Sequence, residues 1–522
     1  MLLLEIKHLK QYVQDRLLLD IDHLQIHTND CIGLIGRNGS GKTTLLQILA
    51  KKIVPEQGTV MLHAQCELLP QLKQMNTTKS GGEVTQTYIQ EVLIKNPEIF
   101  LADEPTTNLD TKHIEGLEKQ FGKRQGATVI VSHDRAFLDS LCTTIWELND
   151  AKITEYTGNY SDYVRLKEVE QRQEQLAYEK YVKKKKQLED ALKLKEKKAE
   201  RATKKPKPVS KSEAKLKGAK PYFAKKQKKL HKTAAAIETR LEKLEKVEKI
   251  KELPAVKMDL PDVKTYKHRT ILRVENVAGF IGKRKLWDKT SFQIQAGDKV
   301  AIIGPNGSGK TTLLRKIIGE ENGITLSPSV KVGYFSQSLN ILNTNKSIME
   351  NVQISSKQNE TLIRTVLARM HFFRDDVYKC VGDLSGGERV KVALAKVFLS
   401  NINTLILDEP TNFLDILSIE ALESLLQEYD GTIMFVSHDR KFIANIATRI
   451  LTINNQRITL FDGGYREYQQ AVSSENGDDK KDRLLLIDTQ LTEVLSRLSI
   501  EPSAELERQV QQLLQEKRNL TE

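Results

Sequence analysis

The sequence contains one nine-residue string twice, with a single difference. GRNGSGKTT occupies 36–44 and GPNGSGKTT occupies 304–312, and both fit the pattern G-x-x-x-x-G-K-[ST]. In this pattern glycines let backbone N–H groups surround a phosphate, the lysine reaches the terminal phosphates, and the next hydroxyl ligates Mg²⁺. Each copy follows a short apolar run and precedes another. The chain is therefore predicted to fold as two α/β phosphate-loop domains in tandem.

The loop pattern also specifies which residues should contact a nucleotide. The predicted ATP contacts in the two loops are Gly36, Asn38, Gly39, Gly41, Lys42, Thr43, Thr44, Gly304, Asn306, Gly307, Gly309, Lys310, Thr311 and Thr312. Tyr12 and Phe280 each stand 24 residues before the first glycine of a loop. Their rings either stack on adenine or pack within an ordinary strand.

Further strings are duplicated in the same order. SGGE stands at 80–83 and 385–388, IFLADEPTTNLD at 99–110 and LILDEPTNFLD at 405–415, and VSHDR recurs behind each of these. A carboxylate at the end of a buried strand can hold Mg²⁺, and its neighbour can polarise the attacking water. The predicted metal residues are Thr43, Asp103, Thr311 and Asp408. The predicted catalytic residues are Glu104, Glu409, His133 and His438.

These motifs, duplicated in this order, resemble the ATP-binding cassette ATPases over roughly residues 1–160 and 265–470. The resemblance implies that two cassettes close head to tail, with each ATP between the phosphate loop of one and the SGGE signature of the other. One implied site combines Lys42, Glu104 and His133 with Ser385, Gly386 and Gly387. The other combines Lys310, Glu409 and His438 with Ser80, Gly81 and Gly82. Gln71 and Gln337 stand where this family has its glutamine loop.

The first copy is shorter than the second. Nine residues separate Gln71 from Ser80, whereas 48 separate Gln337 from Ser385. The first cassette is therefore expected to have lost the helical subdomain that fills this interval, which in transporters grips the membrane domain.

A basic segment separates the two copies. Residues 161–250 carry 29 basic and 14 acidic side chains, a net charge of +15, although the whole chain has only +12. Like charges repel, whereas a polyanion would neutralise them and release counterions, so we favour RNA as a partner over a merely solvated helix face. The predicted RNA contacts are Lys204, Lys205, Lys207, Lys211, Lys215, Lys217, Lys220, Tyr222, Phe223, Lys225 and Lys226.

The apolar spacing within this segment predicts two helices, 160–200 and 225–250. Pro206, Pro208, Gly218 and Pro221 are expected to interrupt helix between them. The prediction is an antiparallel helical hairpin that extends roughly 50 Å from the cassettes.

Twin cassettes joined by such a linker resemble the ABC-F proteins, and most closely the Vga-type antibiotic-resistance proteins of Gram-positive bacteria. This resemblance implies a monomer with an intramolecular cassette dimer that binds the 70S ribosome at the E site. Its linker would point toward 23S rRNA and the P-site tRNA near the peptidyl-transferase centre. It implies ATP and Mg²⁺ as cofactors and displacement of lincosamides, streptogramin A compounds and pleuromutilins.

The predicted domains are cassette 1 at 1–159, the linker at 160–264, cassette 2 at 265–472 and a C-terminal helical hairpin at 473–522. No apolar run approaches the roughly 18–20 residues that span a bilayer, and the four cysteines lack disulfide or metal spacing. A cytoplasmic location is expected. The alternatives are the ATPase subunit of a drug-efflux transporter and a housekeeping ABC-F translation factor.

Overall fold

The computed structural model describes a large part of the chain. The described residues are 1–71, 87–90, 92, 94–107, 109–203, 219–244, 269–336, 341–472, 474, 491, 494, 508–511, 513–515 and 518, without the side chains of 199–203 and 219–227. The predictions for 80–83, Gln337, the lysines of 204–217, the side chains of 220–226 and nearly all of 473–522 lie outside these residues. The chain divides into two compact units, Met1–Tyr160 with Pro254–Glu522, and Ser161–Leu253.

The first cassette consists of a mixed six-stranded sheet and a three-stranded antiparallel sheet. The order of the first is β5-β6-β7-β3-β8-β9, and that of the second is β2-β1-β4. Strands β6 and β7 are buried along their whole length, as is typical of parallel strands covered on both faces. The strands are β1 (Leu2–Val13), β2 (Arg16–His27), β3 (Cys31–Gly36), β4 (Gln57–Leu62), β5 (Cys66–Leu69), β6 (Ile99–Asp103), β7 (Ala127–Val131), β8 (Thr144–Asn149) and β9 (Lys152–Thr157).

Three helices of this cassette position its functional loops: α1 (Lys42–Leu49), α2 (Thr111–Gly122) and α3 (Arg135–Leu141). Helix α1 and the two sheets enclose one apolar core. Phe121 of α2 and Phe137 of α3 pack edge to face with centroids 5.9 Å apart. The carboxyl ends of β3, β6 and β7 therefore deliver their loops to one edge of the sheet.

The second cassette repeats this plan. Its sheets have the orders β14-β15-β16-β12-β17-β18 and β11-β10-β13. The strands are β10 (Thr270–Ile281), β11 (Arg284–Gln295), β12 (Lys299–Ile303), β13 (Ile324–Leu326), β14 (Val332–Phe335), β15 (Thr404–Asp408), β16 (Thr432–Val436), β17 (Arg449–Asn454) and β18 (Arg457–Asp462). The helices, numbered after the two linker helices α4 and α5, are α6 (Lys310–Ile318), α7 (Ile348–Gln353), α8 (Glu360–Arg369), α9 (Gly386–Phe398), α10 (Ile416–Gln427) and α11 (Arg440–Ile446).

In the second cassette the chain forms a helical layer after β14 and before it returns to the sheet as β15. It contains α7, α8, α9 and two 3₁₀ turns, and it shares a large apolar core with the sheet. Ser385 caps α9: its hydroxyl accepts the N–H of Glu388, and the Glu388 carboxylate accepts the Ser385 N–H. The cap fixes where the signature helix begins.

The linker unit contains α4 (Tyr160–Thr203) and α5 (Ala219–Glu242). Forty-four helical residues at 1.5 Å each make α4 about 66 Å long. The expectation that Pro221 interrupts helix is wrong, since it is the third residue of α5. Proline is tolerated in a first helical turn because the N–H that it lacks would have no intrahelical acceptor there. Within the described residues, no helix is long and apolar enough to cross a membrane.

Candidate functional site

Both phosphate loops connect a central strand to a helix. Gly41 and Gly309 precede α1 and α6 at φ 107° and 102°, in the left-handed region that favours glycine. Lys42 Nζ donates to the carbonyl oxygens of Gly36 and Arg37 at 2.7 and 3.0 Å. Lys310 Nζ makes the same bonds to Gly304 and Pro305 at 2.9 and 3.2 Å. Burial lowers the pKa of both lysines.

Two serines of these loops, Ser40 and Ser308, escaped the sequence prediction. Their hydroxyl oxygens are buried and have no hydrogen-bond partner among the described residues. A buried hydroxyl without a partner is costly unless something else pairs with it. Together with the left-handed glycines and the buried lysines, these hydroxyls make the loops fit a phosphate chain.

The predicted metal residues lie next to the lysines. Thr43 Oγ1 donates to Asp103 Oδ2 at 2.8 Å, and Thr311 Oγ1 donates to Asp408 Oδ1 at 3.1 Å. Among the described residues no group of three or more His, Cys, Asp or Glu side chains is placed to hold a metal. One hydroxyl and one carboxylate per site suit Mg²⁺, which takes few protein ligands and keeps water and phosphate oxygens.

The predicted catalytic glutamates adopt the same unusual backbone conformation. Glu104 has φ 52° and Glu409 has φ 50°, in a region that non-glycine residues rarely occupy. Each is held there by its N–H, which donates to the carbonyl of Val131 or Val436 at the end of the neighbouring strand. Strained backbone of this kind concentrates at functional sites.

Each glutamate faces the histidine of its own cassette. His133 Nε2 lies 3.3 Å from Glu104 Oε1, and His438 Nε2 lies 3.3 Å from Glu409 Oε1. Burial raises the pKa of Glu104 to about 8 and that of Glu409 to about 7. Burial also lowers the pKa of both histidines to about 3, so they are neutral. A neutral imidazole beside a carboxyl group can hold a proton in place without adding charge.

Residues of both cassettes line one cavity of about 1510 Å³. It contains Lys42, Glu104 and His133 together with Ser385 and Gly387, the combination expected for the first composite site. It also contains Lys310, Glu409, His438 and Gln71. The signature residues expected to complete the second site lie outside the described residues. Gly386 does not line the cavity.

The contact between the cassettes is reciprocal. The Asn38 N–H donates to Asp415 Oδ2 at 3.0 Å, and the Asn306 N–H donates to Asp110 Oδ2 at 3.0 Å. Each aspartate also caps the helix that follows it, α10 or α2. Each phosphate loop is thus hydrogen-bonded to the first turn of a helix from the opposite cassette.

Sequence reasoning missed these two aspartates. Although burial opposes it, hydrogen bonds and charge lower the pKa of Asp415 to about 2; the donors are Ser418 and the Asn38 N–H, and the charge is that of Lys391. Bonds from the N–H groups of Asn306 and His113 likewise lower the pKa of Asp110. The repeated Leu-Asp that ends each Asp-Glu string was the available signal.

The aromatic residues proposed for adenine do not line the cavity. Val13 lines it in place of Tyr12, and Ile281 in place of Phe280. Stacking of the Tyr12 ring on adenine stays a prediction.

Comparisons with known proteins agree with this geometry. A family model described as ABC transporter matches residues 19–76 and 287–412, and a second model with that description matches 146–215. The ribosome protection protein VmlR of Bacillus subtilis is 32% identical over 93% of this chain and 92% of its own length. The erythromycin resistance ATP-binding protein MsrA of Staphylococcus epidermidis is 34% identical over 84% of this chain and 95% of its own.

A third relative carries the family in its name. ABC transporter F family member 5 of Arabidopsis thaliana is 33% identical over 74% of this chain and 53% of its own length. The chain belongs to the ABC-F family. ABC-F proteins bind and hydrolyse ATP, so this protein is an ATPase.

Solved structures show the same fold at low identity. The RNase-L inhibitor superimposes with a TM-score of 0.59 at 16% identity, covering 90% of this chain and 93% of that one. A model of ribosome-bound archaeal Pelota and ABCE1 gives a TM-score of 0.56 at 16% identity, covering 89% and 79%. The predicted fold, two tandem cassettes with a helical linker, is confirmed.

Proposed function

We propose that this ABC-F protein is an ATP-dependent ribosome-binding protein that protects the large subunit from antibiotics. ATP closes the cassettes, the closed molecule occupies the E site in the cytoplasm, and the linker reaches toward the peptidyl-transferase centre. Hydrolysis then opens the cassettes and releases the protein. The observation that carries this proposal is the 32% identity to a ribosome protection protein over nearly the full length of both chains.

The reciprocal bonds between the cassettes support a clamp. ATP at the phosphate loop of one cassette would also meet the signature helix of the other, so binding energy is available to hold the halves together. In their deprotonated form Glu104 and Glu409 would each accept a proton from the attacking water, and His133 and His438 would fix the position of that carboxylate. Mg²⁺ would neutralise charge on the phosphate oxygens when bound beside Thr43 and Asp103, or Thr311 and Asp408.

The charge of the linker supports an RNA partner. Residues 201–229 carry twelve basic side chains and one acid. Polyanion binding by such a segment gains from counterion release. We propose that contacts to 23S rRNA and to the P-site tRNA are made by this segment, with Tyr222 and Phe223 stacking on bases.

Drug selectivity is proposed from the resemblance to Vga-type proteins: lincosamides, streptogramin A compounds and pleuromutilins. The name of the relative MsrA refers to erythromycin. A macrolide therefore belongs in any susceptibility panel beside the three proposed classes.

The test is a ribosome sedimentation assay with trapped protein. Changing both Glu104 and Glu409 to Gln removes the proposed bases, so the variant should hold ATP and pellet with ribosomes at least about tenfold more than wild type does. Lys42→Ala/Lys310→Ala is the matched control, since it should bind no nucleotide and stay in the supernatant. A trapped variant that remains in the supernatant contradicts the proposal.

The same variants separate the alternatives. A transporter subunit would pellet with membranes instead and lower drug accumulation in intact cells. A housekeeping factor would bind ribosomes but would not restore cell-free translation in the presence of a lincosamide.

A further inference from the structure

Two arginines form ion pairs across the contact between the cassettes, and no role has been assigned to them. Arg135 and Arg440 are the last residues of the two VSHDR strings, two positions after His133 and His438. Each is the first residue of a short helix, α3 or α11. A displacement of either arginine therefore shifts the loop that carries the neighbouring histidine.

Arg135 is the more deeply buried of the two, with 2% of its side chain exposed. Its guanidinium donates from both terminal nitrogens to the carboxylate of Glu423 on α10, with Nη1 3.0 Å from Oε2. Its Nη2 also lies 3.5 Å from Oδ2 of Asp439, the N-cap of α11. Asn445 Nδ2 holds Glu423 in place at 3.1 Å. A planar guanidinium that bridges two carboxylates fixes distance and direction together.

The second half contains the related pair. Arg440 donates to Glu118 on α2 of the first cassette. Its side chain is 16% exposed, and among the described residues its guanidinium is paired with Glu118, whereas that of Arg135 contacts both Glu423 and Asp439. We call each arginine with its carboxylate partners a latch: Arg135 with Glu423 and Asp439, and Arg440 with Glu118. The two latches have the same arrangement but differ in burial.

One helix from each cassette contacts two loops of the opposite cassette, the phosphate loop and the loop that carries the histidine. Helix α10 is capped by Asp415, which accepts the Asn38 N–H of the first phosphate loop, and it carries Glu423 eight residues later. Helix α2 is capped by Asp110, which accepts the Asn306 N–H, and it carries Glu118 eight residues later. Eight residues span about 12 Å of rigid helix. A single rigid helix of the opposite cassette therefore contacts both the phosphate loop and the loop of the histidine, and it fixes the distance between these two loops.

We propose that Arg135 and Arg440 are positioning residues that place each histidine loop only when the cassettes are closed. The proposal deepens the proposed clamp and rests on the histidine roles given there. In the open form each arginine loses its carboxylate, and its histidine is no longer fixed 3.3 Å from the glutamate of the same cassette. Because Arg135 is the more buried, the first site depends on its latch more strongly.

The test compares ATP hydrolysis by Arg135→Met, Glu423→Gln, the double variant and Arg135→Lys. Losing one partner of a buried pair leaves a charge without compensation. We expect Arg135→Met to lower kcat by about tenfold or more. KM should change less than about threefold, since the phosphate loop itself is intact. The double variant should be no slower than the slower single variant, and Arg135→Lys should be intermediate. Arg440→Met should lower kcat less than Arg135→Met.

The control is Arg369→Met, which removes a 9%-exposed arginine paired with Glu428 inside the second cassette. It should lower the melting temperature as much as Arg135→Met does but leave kcat within about twofold. If Arg135→Met keeps wild-type kcat, or if both variants lose kcat in proportion to melting temperature, the positioning role is refuted. Ribosome binding by the double glutamine variant is measured separately, so failure of the clamp and failure of the latch can be told apart.

Discussion

Asp134 and Asp439 lie close together where the cassettes meet. Each caps a helix: Asp134 Oδ1 accepts the N–H groups of Ala136 and Phe137, and Asp439 does the same for α11. Burial, followed by the charge of Asp439, raises the pKa of Asp134 to about 6. The nearby groups are Arg440, which opposes this rise, and Glu118, which adds to it. The negative charge of Asp439 therefore favours the protonated form of Asp134.

The sign of the resulting pH dependence follows from linkage. Between about pH 4 and about pH 6 the folded state keeps the Asp134 proton while the unfolded chain has lost its own. Stability from this group is therefore complete below about pH 4 and is lost as pH rises through about 6. Asp134→Asn, which stays neutral, should match wild type in melting temperature near pH 4 and exceed it near pH 7.

The measurement is thermal unfolding of both proteins across this range, with Asp139→Asn on the same helix as the control. A difference between wild type and Asp134→Asn that does not change with pH would contradict the shifted pKa.

For individual residues, the sequence could predict which side chains carry the chemistry but not which contacts hold them in place. Lys42, Thr43, Asp103 and Glu104 come together as the motifs predict. The left-handed backbone of Glu104, the Asp415 bond to Asn38 and the bridging of Arg135 all depend on contacts between residues far apart in the sequence. A local string such as the repeated Leu-Asp can single out a residue, but it does not tell which distant residue that side chain contacts.

The start of helix α9 decides how closely the cassettes approach. A Cβ on Gly387 would lie 2.9 Å from the Phe413 carbonyl oxygen and 3.0 Å from Asn38 Nδ2. Those two groups are themselves hydrogen-bonded at 2.9 Å. A Cβ on Gly386 would meet nothing within 4 Å. Two adjacent glycines of one signature therefore differ in what surrounds them.

Gly387→Ala should keep the first site from closing fully. Overpacking typically costs about 1–3 kcal/mol, and about 1.4 kcal/mol corresponds to tenfold, so we expect kcat to fall about tenfold. Gly116→Ala on helix α2, where a Cβ would also meet nothing within 4 Å, is the matched control and should stay within about twofold of wild type. The comparison is made by steady-state ATP hydrolysis, and equal losses in both variants would show that the close contact is unimportant.

Elements were predicted better than their exact ends. The motif-bearing strands and helices follow from buried apolar runs and from glycines that only a turn explains. A distance along the chain, such as the 24 residues from Tyr12 to Gly36, does not tell which face of a strand a residue occupies. The start of α5 at Ala219 was missed because a proline was read as a break, although it can lie in a first turn.

The linker forms a compact unit of its own, Ser161–Leu253. A separate unit can be altered without disturbing the cores of the cassettes. Its excess of positive charge is balanced by nothing comparable elsewhere, since the rest of the chain has a net charge of −3, the difference between +12 and +15. ATP hydrolysis and ribosome binding should therefore be separable by substitution.

Replacing residues 201–229 by Gly and Ser should leave ATP hydrolysis within about twofold of wild type. It should abolish ribosome sedimentation at physiological salt, because the phosphate contacts are lost. A second variant that keeps the twelve basic residues and replaces the others should bind with reduced affinity and a steep salt dependence. Full binding by the first variant would remove the linker from the proposed interface.

Asp110 and Asp415 each accept a hydrogen bond from the phosphate loop of the opposite cassette, and this has a genetic consequence. Each phosphate loop is bonded to an aspartate encoded 377 or 196 codons away, in the other copy of the repeat. Damage to one loop can thus be repaired by a second mutation in the opposite half, and a suppressor screen would find its hits there.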